Sequence, residues 1–255
     1  MTEPSAADMP HARPSLGPVI FALWGQAESR RLREELEMLG IPVLLLKGPD
    51  LQQRLYGTPA AYMSGDVDVL IPRWEAQRAR RTLEAAGWKF DTENGVLWKL
   101  SAAATFERSG FSADVHWGLH AAHLPAWSFR RLEDALWHGA ERGQSGFLEP
   151  DPETLLVFLA VHVVGHGFAR PEWQENVRRA ADLVADWSRV WRIARVAHVS
   201  RAVQAALGSQ EEGVTLPVLD GVAGRAVWYA TFVLRGHILP KRFRSRIRET
   251  LGQRR

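Results

Sequence analysis

The chain has 255 residues, of which 46% are hydrophobic and none is cysteine, and its net charge is +3. This composition is typical of a globular protein with a substantial core, and it excludes disulfides, thiolate metal sites and cysteine nucleophiles. No run of about 18 uncharged apolar residues is present, and the N-terminus has proline and acidic residues where a signal peptide would be basic and then apolar. The sequence therefore predicts a soluble, cytoplasmic protein without a membrane span, in which any metal binds oxygen or imidazole.

The first half of the chain predicts alternating helices and strands. An arm over residues 1–16, expected to be disordered, precedes an amphipathic helix. The apolar run PVLLLK then predicts a buried strand, GPDLQQRLYG a short helix and DVDVLIP a second strand. After a further helix, four short segments predict antiparallel strands, namely WKF, VLWKLS, ATFERSG and FSADVHW. We therefore expect an α/β domain over residues 17–127.

From residue 128 onward the periodicity becomes helical. Three long segments, which begin at Asp151, Glu175 and Pro217, repeat apolar residues at helical spacing with no strand signal between them. They predict a helical domain over residues 128–240. The whole chain is thus expected to have an α+β fold, in which a mixed sheet with flanking helices is followed by a C-terminal helical bundle.

The segment Lys241–Arg255 is strongly basic, with seven basic residues and one acid. Phe243, Ile247 and Leu251 recur every four residues, which predicts a short amphipathic helix. Two interpretations of this tail stay open. It is either a solvated helix docked on the body through its apolar stripe, or a patch for RNA or another acidic partner.

Two aspartates stand inside the second predicted strand. Because side chains alternate along a strand, Asp66 and Asp68 point to the same face, where they would hold a proton unless a cation neutralised them. Mg²⁺ neutralises such a pair through carboxylate oxygens, waters and substrate phosphates. Asp114, in a later apolar strand, completes a three-carboxylate cluster if the two strands are neighbours, which suits nucleotidyl transfer. The alternative is structural: Asp66 caps a turn after Gly65, and Asp68 meets an arginine.

Four motifs occur together along the chain, namely LLLKG, LYGTP, GDVDVLI and ADVHW, with weaker matches at VHVVGHGF and at Asp182. Through these motifs the sequence resembles the DNA-polymerase-β-like nucleotidyltransferase superfamily. It resembles more closely a bacterial family of uncharacterised nucleotidyltransferases, over about residues 17–205. The resemblance implies a nucleotidyltransferase-type sheet with Asp66, Asp68 and Asp114 as catalytic residues and ligands of Mg²⁺.

The resemblance also implies the reaction, in which a nucleoside monophosphate moves from an NTP, such as ATP, to an unidentified small-molecule or peptide acceptor. Lys47, Gly48 and Gly65 are the nucleotide-binding candidates. Gly48 allows the backbone to approach a phosphate, the next helix directs its N-terminus there, and Lys47 adds a point charge. An exposed Lys47 at a strand end is the alternative. A toxin-like enzyme acting on transfer RNA, with the basic tail on the RNA backbone, is a second functional hypothesis.

Four further residues are candidate substrate contacts. Tyr62 stands four residues before the first aspartate, where the smaller family usually has an arginine, and this departure also fits a catalytically inactive nucleotide-binding accessory protein. His116 shares the face of Asp114, where it contacts substrate, hydrogen-bonds Asp114 or packs. His162 and His166 lie on one face of a helix without an acid between them, which favours helix packing over a substrate contact.

Overall fold

The computed structural model describes residues 16–90, 102–119, 126–166 and 168–208. The predicted strand VLWKLS, the predicted helix that starts at Pro217 and the basic tail lie outside these residues, as do residues 1–15 of the predicted arm. The α-helices are α1 (Leu16–Glu37), α2 (Pro49–Tyr56), α3 (Ala76–Ala85), α4 (Ala126–His138), α5 (Pro152–Gly165), α6 (Pro171–Asp182), α7 (Trp187–Val196) and α8 (Ser200–Gly208). The strands are β1 (Leu44–Lys47), β2 (Asp66–Leu70), β3 (Lys89–Phe90), β4 (Ala103–Arg108), β5 (Phe111–His116), β6 (Glu141–Arg142) and β7 (Leu148–Glu149).

The strands form one mixed sheet in the order β3-β4-β5-β2-β1-β7-β6. The central strand β2 runs antiparallel to β1 and parallel to β5. The predicted antiparallel pairing is confirmed for β3 with β4 and for β4 with β5. Ser109 and Gly110 join β4 to β5 with positive φ angles of 53° and 85°, the backbone that a tight hairpin turn requires.

The helix α5 forms the centre of the helical part of the chain. Its side chains are almost all buried, because the helix is apolar on every face and packs against α6, α7 and α8. The helix begins at Pro152, and the Asp151 carboxylate caps it by accepting a hydrogen bond of 3.0 Å from the Thr154 N–H. It has only 14 residues, and none of the described helices is long and apolar enough to cross a membrane.

The prediction of an all-helical second half is wrong at residues 141–149. The strands β6 and β7 form an antiparallel hairpin there, and β7 extends the sheet as the parallel neighbour of β1, with Leu148 opposite Leu44. Strands of two residues are too short to show an alternating pattern, so the sequence gives no periodic signal for them. The sheet therefore continues beyond residue 127, where the sequence predicted the α/β domain to end.

Candidate active site

Adjacent strands bring the predicted acidic residues to one face of the sheet. The strands β2 and β5 pair with Asp68 opposite Asp114 and with Leu70 opposite His116. Because paired residues point to the same side of a sheet, Asp66, Asp68, Asp114 and His116 share a face. We call the three aspartates the carboxylate face.

A bulge in β1 brings Lys47 to the carboxylate face. Leu45 opposes Val69, but the next paired residue is Lys47, which opposes Asp68 because Leu46 is the extra residue. In an unbroken strand Leu46 would oppose Asp68, and Lys47 would point to the other face. As a result, Nζ of Lys47 lies 3.1 Å from Oδ2 of Asp68, an ion pair that the sequence analysis did not predict.

Asp68 is buried, and both of its carboxylate oxygens have partners. Lys47 contacts Oδ2, and Nε2 of His116 donates to Oδ1 over 3.0 Å. Burial by itself would raise the pKa of Asp68, but the Lys47 ammonium and the hydrogen bond from His116 outweigh it and lower the pKa. Two of the alternatives left open by the sequence are therefore corrected: the partner of Asp68 is a lysine rather than an arginine, and His116 hydrogen-bonds Asp68 rather than Asp114.

Within the described part of the chain, the three carboxylates of the carboxylate face outnumber the cationic side chains that contact them. Asp114 accepts a hydrogen bond of 2.6 Å from the Thr105 hydroxyl, and burial followed by repulsion from Asp68 raises the pKa of Asp114. Asp66 is exposed at the start of β2 and accepts a hydrogen bond of 2.9 Å from the Ser64 hydroxyl. This excess of carboxylate oxygens is chemically suited to a hard divalent cation such as Mg²⁺.

The carboxylates of Asp66, Asp68 and Asp114 are chemically suitable ligands for a divalent metal ion, although each of them contacts other side chains of the protein. In the described part of the chain no group of three or more acidic or histidine side chains is arranged to hold a metal ion. Asp68 instead binds Lys47 and His116, and Asp66 binds Ser64. Convergence of Asp66, Asp68 and Asp114 on a metal therefore stays a prediction.

Gly48 has a structural requirement of its own. Its φ of 124° favours glycine, and a Cβ at this position would lie 3.0 Å from Cγ2 and 3.2 Å from Cα of Val67. Gly48 thus fixes the end of β1 closely against β2, which explains the glycine without any ligand. Gly65 is exposed before β2, where its carbonyl oxygen accepts a hydrogen bond from the Ser112 N–H. Phosphate binding at Lys47, Gly48 and Gly65 stays a prediction.

The helical part of the chain reaches the carboxylate face through α5 and α6. Nε2 of His162 lies 3.4 Å from Nζ of Lys47. Burial, followed by the Lys47 ammonium, lowers the pKa of His162 well below its usual range, so the imidazole is neutral at pH 7. The rings of His162, His166 and Trp173 lie with their centroids 4.4 to 4.9 Å apart. The histidines therefore pack together as a helix-packing role requires, and His162 also contacts the candidate site.

Tyr62 is tied to the helices by Asn176, a residue that the sequence analysis missed. The Asn176 Nδ2 donates to the Tyr62 hydroxyl over 2.9 Å, and the Tyr56 hydroxyl donates to the Asn176 Oδ1 over 2.7 Å. The Tyr62 N–H also donates to Oε1 of Gln52. Asn176 is buried on α6, four residues before Ala180 and on the same apolar face of the helix. A polar residue on an apolar face needs a hydrogen-bond partner, and this feature of the sequence could have indicated its role. The contacts hold the loop before β2 against α2 and α6.

A separate polar cavity of about 900 Å³ lies between α1, α2, the β6–β7 hairpin and the start of α5. None of the predicted site residues lines it. Its arginines are paired with carboxylates, as in Arg30 with Asp50 at 3.2 Å and Arg189 with Asp151 at 2.7 Å. The cavity therefore lacks the charge imbalance that marks the carboxylate face.

A match to a family model identifies the class of protein to which the chain belongs. A family model described as "Uncharacterised nucleotidyltransferase" matches residues 23–212. The chain belongs to this family and is an enzyme of the nucleotidyltransferase class.

Two solved structures of the antibiotic-resistance factor ANT(2'')-Ia are similar to the chain. The solution structure is 13% identical, with a TM-score of 0.47, and the match covers 74% of this chain and 97% of that one. The crystal structure in complex with adenylyl-2''-tobramycin is 12% identical, with a TM-score of 0.48, and the match covers 68% and 96%. No curated protein sequence matches the chain.

Proposed function

We propose that the protein transfers a nucleoside monophosphate from an NTP to an unidentified acceptor, with metal-dependent chemistry and release of pyrophosphate. The observation that carries this proposal is the register of β2 against β5, which sets Asp114 opposite Asp68 on the face that also bears Asp66. A structural role does not require three carboxylates at one place on a sheet with a single lysine beside them. A site for a nucleotide and its metal ions does require them, because the carboxylates and the nucleotide phosphates together neutralise the charge of the metal ions.

Each residue of the site has a role in this proposal. Asp66 and Asp68 would hold Mg²⁺, and Asp114 would complete the set and take the proton from the acceptor hydroxyl. When bound, Mg²⁺ stabilises the negative charge of the transferring phosphoryl group. The Lys47 ammonium and the Gly48 N–H would bind the phosphates of the nucleotide.

Three other residues border this site and are the proposed substrate contacts. His116 is held by Asp68, and His162 contacts Lys47 from α5. Tyr62 is held by Asn176 in the loop that leads into β2. Because His162 and Asn176 belong to the helical part of the chain, a substrate on the carboxylate face would contact both parts of the protein.

Thermal unfolding with Mg²⁺ and each of the four NTPs tests the proposal. At an NTP concentration of about 100 times its Kd, preferential binding stabilises the folded protein by about 2.7 kcal/mol. Asp66→Asn should gain much less, and it is a suitable variant because Asp66 is exposed and its loss leaves the core intact. Asp134→Asn, which removes an exposed acid from α4, is the matched control and should behave as wild type.

The outcomes separate the hypotheses. If no NTP stabilises the wild type, or if Asp66→Asn responds as strongly as the wild type, the proposed function is wrong. Stabilisation by NTP that does not depend on Mg²⁺, together with no release of pyrophosphate, would instead support a catalytically inactive nucleotide-binding protein.

A further inference from the structure

Lys47 binds Asp68 at the oxygen that a metal ion would need. Its Nζ lies 3.1 Å from Oδ2, while His116 occupies Oδ1 at 3.0 Å. The Asp68 side chain is only 8% exposed, so there is little space for a second cation beside it. We propose that Lys47 prevents a divalent metal ion from binding Asp68 in the nucleotide-free protein. A nucleoside triphosphate then makes Asp68 available to the metal, because its phosphates attract the Lys47 ammonium away from the carboxylate. This inference rests on the proposed function.

The bulge in β1 creates this ion pair. Since Leu46 is the extra residue, Lys47 rather than Leu46 opposes Asp68. The backbone that follows is constrained, because the positive φ of Gly48 and its close approach to Val67 disfavour any side chain at this position. The ammonium is therefore the end of a flexible four-carbon chain on a rigid support, and it can leave Asp68 without any change in the strand.

Among the described residues, the other contacts of Lys47 offer its ammonium no competing negative charge. His162, whose imidazole is neutral, lies 3.4 Å away, and the Trp173 ring centroid lies 5.8 Å away. Asp68 is the carboxylate with which Lys47 forms its ion pair. A triphosphate carries several negative charges and competes well with one carboxylate for the ammonium.

Metal and nucleotide should consequently bind with positive coupling. Metal binding to the nucleotide-free protein is opposed by the ammonium at Asp68, and the opposition disappears once the phosphates hold Lys47. Coupling between two ligands is reciprocal, so metal at Asp68 also favours the nucleotide-bound position of Lys47. Removal of the lysine charge should therefore strengthen metal binding even when no nucleotide is present.

The affinity of the nucleotide-free protein for Mn²⁺ tests whether Lys47 opposes metal binding. The electron paramagnetic resonance signal of unbound Mn²⁺ measures this affinity. Lys47→Met should bind Mn²⁺ about tenfold more tightly than the wild type, or more, within the range of typical coupling. The double variant Lys47→Met/Asp68→Asn should lose this gain. Lys89→Met, which removes an exposed lysine from β3, is the matched control and should bind Mn²⁺ as the wild type does.

Equal Mn²⁺ affinity of wild type and Lys47→Met would overturn the inference, and so would a gain that survives Asp68→Asn, because the metal would then lie elsewhere. Failure of both proteins to bind Mn²⁺ would overturn it as well. The proposed function is decided separately by the stabilisation that Mg²⁺ and NTP give to the wild type. Circular dichroism checks that each variant folds, and Lys47→Gln replaces Lys47→Met if the latter does not.

Discussion

The carboxylate face and the cluster around Arg108 both bring charged side chains into the protein interior, but they balance those charges differently. In the arginine cluster, formed by Glu28, Glu35 and Arg108, the guanidinium contacts Glu28 at 3.1 Å and Glu35 at 2.6 Å. The two remaining carboxylate oxygens accept hydrogen bonds from Arg31 at 2.8 Å and from the Trp88 indole at 2.7 Å. Every carboxylate oxygen of the arginine cluster therefore has a donor within the protein.

The carboxylate face leaves negative charge unmatched. Burial by itself would lower the pKa of Arg108, but the hydrogen bond and charge of Glu35 raise it, as expected of a matched ion pair. At Asp114, by contrast, burial and the nearby Asp68 act in the same direction and raise the pKa of the carboxyl. With Arg31 included, the arginine cluster has as many cations as carboxylates, whereas the described residues of the carboxylate face leave an excess of negative charge, as expected of a site that binds a cationic ligand.

The largest effect is expected in the arginine cluster. Arg108→Met should lower the free energy of unfolding by about 3 kcal/mol, because the partly buried Glu35 loses its cation and the buried Glu28 keeps only the exposed Arg31. Urea unfolding measures this loss. Arg81→Met, which removes an exposed arginine from α3, is the matched control and should change stability by about 0.5 kcal/mol or less. A small effect of Arg108→Met would mean that the cluster is not structural.

A smaller loss is expected at Asp68 in the absence of metal. Asp68→Asn should destabilise the protein by about 1 to 3 kcal/mol, because Lys47 and His116 lose an ionised partner. The sequence alone predicts that the repelled carboxylates are Asp66 and Asp68. In the structure Lys47 compensates the charge of Asp68, and the carboxylate whose ionisation is disfavoured is Asp114. Chemical unfolding of the variant and the wild type without divalent ions measures the difference.

The opposite sign is expected at Asp114. Asp114→Asn should leave stability at pH 7 unchanged or raise it by about 1 kcal/mol, because the variant loses a repelled charge and keeps an acceptor for the Thr105 hydroxyl. The same unfolding experiment measures it. If Asp114→Asn destabilises the protein as much as Asp68→Asn does, both carboxylates have stabilising partners within the protein. The carboxylate face would then not differ from the arginine cluster in how its charges are compensated.

The smallest effect concerns pH and the buried acid Asp50. Its Oδ1 accepts hydrogen bonds from Gln26 and Arg30, while its Oδ2 is buried without a partner. Burial raises the pKa of Asp50 above its usual value, and Arg30 offsets only part of this. The folded protein therefore binds the proton of the Asp50 carboxyl more tightly than the unfolded chain does. As the pH rises above the pKa of Asp50 in the unfolded chain, the folded protein loses stability relative to the unfolded chain.

Asp50→Asn removes this titration. The melting temperature of the variant should therefore rise relative to that of the wild type between about pH 4 and about pH 7. Melting curves at both pH values measure the trend, with Asp134→Asn as the exposed-acid control. A difference that does not depend on pH would show that Arg30 balances Asp50 fully.

Much of the sheet could be predicted from the sequence, because long apolar runs and alternating patterns are local signals. PVLLLK and DVDVLIP correspond to β1 and β2, and the hairpin of β4 and β5 follows from its Ser-Gly turn. The β6–β7 hairpin could not be predicted, since two-residue strands are defined by their partners. Here the partner is β1, far away along the chain.

The residues of the candidate site were easier to find than their contacts. Alternation places Asp66 and Asp68 on one face, but nothing in LLLK signals the bulge that turns Lys47 toward Asp68. Trp173 and Asn176 contact the site from α6, across more than a hundred residues. Such contacts depend on how the helices pack against the sheet, which no local pattern encodes.

Metal binding at Asp66 and Asp68 is tested most directly by a crystal structure with a non-hydrolysable NTP and Mn²⁺ in place of Mg²⁺, in which anomalous scattering locates the metal. We expect a metal ion bound by oxygens of Asp66 and Asp68, the kind of ligand that Mg²⁺ also takes. We also expect the Lys47 ammonium at the phosphates rather than at Asp68. A nucleotide bound without metal at these carboxylates, or a metal held by other residues, would contradict metal binding at Asp66 and Asp68.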